Sequence, residues 1–146
     1  MSSPYESADL LMKLYDLRRE PAMRDARAWF AAEFNPTSFE EVQQALRGPM
    51  SAQFRMVTSY WDMASSFVNH GAIDETMFNE ANGEQWVVFA KIEPFVADYR
   101  QMMGNPTAWA HLEKNVMKSP GAKERLAALR ERFRAMAAAR RAAPVE

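Results

Sequence analysis

The sequence predicts an all-α protein, a single-domain multi-helix bundle with a kinked helix around Pro94 and a basic C-terminal helix. Three observations lead there. Apolar residues recur three and four apart along nearly the whole chain, caps and prolines interrupt them at short intervals, and no alternating run of useful length occurs. The best strand candidate, Trp86-Val87-Val88-Phe89, continues a helical period on both flanks. Counting the punctuated segments gives about eight helices.

Ser3-Pro4-Tyr5-Glu6 reads as a capping box with proline at the first helical position, followed by Leu10, Leu11, Leu14 and Leu17 as an apolar face. Pro21 ends this helix and opens a second, in which Met23, Ala26, Trp29 and Phe30 recur up to Phe34 and the stop Asn35-Pro36. Thr37-Ser38-Phe39-Glu40-Glu41 caps a short third helix with Phe39, Val42 and Leu46 inward, and Gly48-Pro49 stops it.

The fourth helix is the expected centre of the bundle. Phe54, Val57, Trp61, Ala64 and Val68 fall on one stripe and Met56, Tyr60, Met63 and Phe67 on the next, an apolar arc too wide for a helix packed from one side. Arg55, Ser59, Asp62, Ser66 and Asn69 make up the remaining strip. After the connector His70-Gly71-Ala72-Ile73-Asp74, Asp74 caps a brief helix holding Met77 and Phe78, which Asn82-Gly83 ends. From Glu84 to Met103, Val88, Phe89, Ile92, Phe95, Val96, Tyr99, Met102 and Met103 share a broad sector, with Pro94 on the far side. A proline there removes one hydrogen bond and crowds the carbonyl four residues back, so the helix bends around its neighbour with the ring in solvent.

Asn105-Pro106 is expected to cap a helix with Trp109, Leu112 and Val116 inward. Ser119-Pro120 opens the last helix, where Leu126, Leu129, Phe133 and Met136 form a narrow seam too short for a coiled coil. Its alanine-rich end, Ala135 to Ala143, is expected to fray.

No repeat, low-complexity block or linker divides residues 1–146, and a chain of this length fits one hydrophobic core. Residues 118–146 stand apart by charge: they carry eight basic and three acidic side chains, against 10 and 16 in residues 1–117. The absence of cysteine excludes disulfides, thiol nucleophiles and thiolate metal sites. No run of about 18 apolar residues occurs and the amino terminus lacks a signal-peptide pattern, so the expectation is a cytoplasmic protein without membrane insertion.

Little catalytic chemistry is on offer. Two histidines are too few for most histidine-based metal sites, and no Glu-x-x-His motif is present. Gly71 spoils a shared face for His70 and Asp74, while His111 and Glu113, two apart, do not face each other. The five glycines are scattered and build no phosphate loop. The best polar constellation joins the strip Arg55, Ser59, Asp62, Ser66 and Asn69 to Glu93 and Arg100; it reads as a solvated face with ion pairs worth about 0–1 kcal/mol each. No catalytic, cofactor-binding or metal residue is assigned, and the chain is taken as a non-enzyme with no cofactor.

The seam Leu126, Leu129, Phe133 and Met136 is too apolar for water and is surrounded by arginines. It is therefore the candidate contact surface of a helical protein-interaction module, whose partner is another protein or a second copy. The alternative is a small apolar or amphipathic ligand held in a core rich in methionine and tryptophan. Nucleic acid is disfavoured, because the basic residues spread around the last helix and do not form one face.

Four stretches carry a resemblance: Leu14-Tyr15-Asp16-Leu17-Arg18-Arg19-Glu20; Arg24-x-x-Arg27-x-Trp29-Phe30; Tyr60-Trp61 through Phe67-Val68-Asn69-x-Gly71-x-Ile73-Asp74; and Trp86, Pro94 and Arg100 along one helix. In these the chain resembles an uncharacterised bacterial family of helical proteins, some of whose relatives have membrane-spanning helices ahead of the matching segment. The resemblance covers about residues 10 to 115, leaves the basic tail outside and implies the soluble part alone. It brings no activity and no site residue.

Overall fold

A computed structural model describes residues 2–145; Met1 and Glu146, the two ends of the expected domain, lie outside the described residues. The order is α1 (Pro4–Arg18), α2 (Pro21–Ala32), α3 (Phe39–Arg47), α4 (Ser51–Asn69), α5 (Glu75–Ala81), α6 (Glu84–Ile92), a 3-10 turn (Glu93–Phe95), α7 (Val96–Met103), α8 (Ala110–Met117) and α9 (Ala122–Ala142). No strand occurs among the described residues. Counting α6 and α7 as halves of one bent helix gives the eight helices expected.

Local chemistry starts three helices as anticipated. Ser3 Oγ accepts from the Glu6 N–H at 3.1 Å and the Glu6 side chain answers on the Ser3 N–H. Ser38 Oγ accepts from Glu41 N–H at 3.3 Å, and Asp74 Oδ1 from Met77 N–H at 2.9 Å.

α4 is the axis, in contact with α2, α3, α5, α6 and α8. Its stripe Phe54, Val57, Trp61, Ala64 and Val68 is buried throughout. Trp61 meets Tyr60 and Phe78 edge-on, with centroids 5.0 and 6.5 Å away, and full burial of each such side chain contributes about 1.5–3 kcal/mol.

The kink takes the form of a 3-10 turn. Pro94 is exposed, and the helix divides into α6 and α7 without leaving a helical path. Past the turn the apolar sector is narrower than its spacing suggests, since Tyr99 is buried whereas Met102 and Met103 face solvent. Leu17 and Met63 are likewise exposed, because the outer sides of α1 and α4 at these positions have no neighbour.

Two helix starts differ from expectation. Asn105 Oδ1 accepts from the Thr107 N–H at 3.1 Å, a local turn, so that α8 begins only at Ala110. Trp109 stands at its N-cap with φ 58°, a left-handed conformation rare for a bulky residue. Its indole stacks on Tyr99 at 3.8 Å and 12°, and touches Phe54 edge-on at 6.0 Å, contacts that hold the strained backbone in place. Because tryptophan offers no cap, Asp62 of α4 supplies one: its Oδ1 accepts from the Leu112 N–H at 2.9 Å. Similarly, Ser119-Pro120 forms a turn, Gly121 adopts φ 72°, and α9 starts at Ala122. Lys118 is thus the C-cap of α8, and α9 stays helical through the alanine-rich stretch to Ala142.

Candidate interaction surface

The amphipathic α9 docks on its own molecule, against α6 and α8. Leu126 is completely buried and belongs to the common core; Leu129 is half-buried against that core. Phe133 is half-buried, with the Lys91 ammonium 4.8 Å from its ring centroid, and Met136 faces solvent. The seam therefore splits: Leu126 and Leu129 pack on the core, whereas Phe133 lies outside it and Met136 faces solvent.

Arginines fasten the helix along its length. Arg125 Cζ lies 3.8 Å from the Trp86 ring centroid, a cation–π contact. Arg130 Nη1 donates to Glu93 Oε2 at 2.6 Å and to the Ala90 carbonyl at 3.0 Å, the latter freed by Pro94. Near the far end Arg140 Nη1 donates to Ala32 O at 2.9 Å, at the carboxyl end of α2.

Between α2, the start of α6 and α9 runs an open trough of about 710 Å³. Ala28 and Ala31 of α2, Val87 of α6 and Phe133 of α9 supply apolar lining, and Arg24, Asp25, Arg27 and Glu84 charge one end. Arg27 and Glu84 form a three-contact pair at 2.6 to 3.0 Å across 57 residues of sequence. The Glu84 carboxylate hydrogen-bonded to it holds the Arg27 guanidinium pKa above the ordinary value, against burial, which lowers it.

The expected polar constellation is dispersed. Ser59 and Ser66 donate to backbone carbonyls of their own helix, and Asp62 caps α8. Asn69 Nδ2 donates to the His111 carbonyl at 3.1 Å. Glu93 pairs with Arg130, whereas Arg100 donates to Ala108 O at 2.9 Å and to Glu113 at 3.1 Å. His70 and His111 do meet, with ring centroids 5.5 Å apart, a contact 41 residues of separation concealed. No group of three or more His, Cys, Asp or Glu able to hold a metal ion occurs among the described residues.

The expected methionine-rich core is not what forms. Met23 is buried, but Met12, Met63, Met102, Met103 and Met136 are 37% to 63% exposed. Tryptophan does line the interior, with Trp61, Trp86 and Trp109 all buried. Lys91 is the main feature that local spacing does not announce: a 4% exposed lysine whose Nζ donates to Phe30 O at 2.7 Å and Ala31 O at 2.9 Å. Its one visible signal is a position inside an otherwise apolar run.

Comparison with known families matches residues 5–119 to the domain of unknown function DUF4760, and the chain belongs to that family. The match ends before α9, so the trough lies between the family domain and a helix outside the matched segment. Neither a curated protein nor a solved structure gives a significant match. No helix is long and apolar enough to cross a membrane among the described residues.

Proposed function

We propose that this DUF4760 chain is a non-enzymatic, cytoplasmic bacterial interaction module that receives a segment of a protein partner, a second copy included, in the trough bounded by α2, α6 and α9. The observation that carries the reading is the trough itself: an apolar floor of Ala28, Ala31, Val87 and Phe133 beside a charged rim of Arg24, Asp25, Arg27 and Glu84. Such a floor and rim suit an amphipathic segment. Small residues on α2 admit a close approach, and exposed methionines elsewhere, Met136 on α9 among them, add adaptable contact area.

A second reading, a small amphipathic ligand, moves from the core to the same trough, whose volume falls in the usual range for ligand sites, about 300–1,000 Å³. The trough is open to solvent and not an enclosed cavity, which favours the protein segment.

A photo-crosslinking residue at Ala28 tests this in cells. The reading expects one discrete protein adduct from Ala28 and none from Ser59, which is exposed on α4 outside the trough. An adduct with the chain itself identifies a second copy as partner. Equal background labelling from both positions would contradict the reading.

A further inference from the structure

The corner between α1 and α2 gathers four arginines around one tyrosine. Tyr15, Arg18 and Arg19 lie at the end of α1, Arg24 and Arg27 in the first two turns of α2, and these five side chains line an open pocket of about 450 Å³. The connecting turn is fixed by Glu20 N–H donating to Leu17 O and Arg24 N–H to Glu20 O, at 3.3 and 2.8 Å. The guanidinium carbons of Arg18 and Arg19 stand 5.2 and 5.5 Å from the Tyr15 ring centroid, and Arg27 Nη1 donates to Arg18 O at 3.2 Å.

Arg27 is matched by Glu84, but no carboxylate lies within ion-pair distance of Arg18, Arg19 or Arg24 among the described residues, although Asp16, Glu20 and Asp25 are their neighbours in sequence. Three guanidiniums without a carboxylate partner thus share one concavity, an arrangement that favours an anion among them. The planar fork of a guanidinium matches phosphate oxygens in pairs, and an excess of three positive charges suits a dianion better than a single carboxylate. The first turn of α2, beside Arg24, has no side-chain cap, which leaves its positive end open. All five lining residues fall within the two segments, 14–20 and 24–30, on which part of the family resemblance rests.

We propose that this pocket binds a phosphate dianion, as inorganic phosphate or as a phosphate monoester headgroup. Arg18 and Arg19 also favour the negative end of α1, a role that needs neither Arg24 nor a ligand. The test separates the two roles.

Inorganic phosphate is titrated into the full-length protein at constant ionic strength, followed by NMR of the arginine Nε–H signals. Saturable shifts are expected, with affinity at least about tenfold weaker in Arg19→Gln/Arg24→Gln, two exposed positions whose change leaves the core untouched. The charge-matched Arg132→Gln/Arg141→Gln variant on α9 keeps full affinity. A second arm uses phosphatidylcholine vesicles with and without phosphatidic acid; arginine-dependent binding there alone assigns the site to a lipid headgroup. Absence of saturation in both arms, or equal weakening in the α9 control, overturns the proposal.

Discussion

The ammonium of Lys91 lies 2.7 Å from the carbonyl oxygen of Phe30. A side chain from α6 thereby closes the carboxyl end of α2, where backbone carbonyls lack partners within the helix. Burial, with the nearby charge of Arg140 as a smaller cause, lowers the Lys91 pKa to about 8.

That shift sets a pH dependence with a definite sign. From about pH 8 to the ordinary lysine value of 10.5 the unfolded chain holds a proton that the folded chain has released, so stability rises with pH across this window. The gain approaches about 3 kcal/mol by linkage. Tyr60 and Tyr99, whose pKa values burial raises, act oppositely above about pH 10. Denaturation of wild type and Lys91→Met between pH 7 and pH 10 isolates the lysine: the wild type gains relative to the variant as pH rises, and parallel curves would contradict the account.

Trp61→Ala should cost about 3–5 kcal/mol in chemical denaturation, because the side chain is fully buried between Tyr60 and Phe78. A loss below about 1 kcal/mol would place the indole outside the core.

Truncation after Ser119 removes Leu126 from the core and uncovers Trp86, which Arg125 now overlies. Leucine burial alone sets the expected loss at about 2–5 kcal/mol. An unchanged melting temperature would show that α9 does not dock as described.

Gly121→Ala tests the start of α9 more gently. At φ 72°, with only the Glu124 carboxylate 4.0 Å from an added Cβ, the cost is backbone strain alone, about 1 kcal/mol. A neutral result in thermal melting would mean that the turn relaxes.

Short-range features show in the sequence and long-range ones do not. Ser3, Ser38 and Asp74 cap helices within four residues of themselves, and the stripe from Phe54 to Val68 repeats within one helix, so spacing alone reveals them. Asp62 capping α8, Arg27 pairing with Glu84 and Lys91 closing α2 each join residues at least 50 positions apart. No local pattern encodes such partners. The seam of α9 was visible as a seam, yet periodicity could not reveal that Leu126 is buried in the core while Met136 stays in solvent. The trough has three walls from distant segments and was legible in none of them.

If the trough is a protein-binding surface, filling it must weaken the affinity for its partner. The partner crosslinked from Ala28, purified, is titrated against wild type and Ala28→Trp, whose indole fills the trough from an exposed position on α2. Binding at least about tenfold weaker in the variant is expected, at an unchanged melting temperature. Equal affinity for both proteins would contradict it.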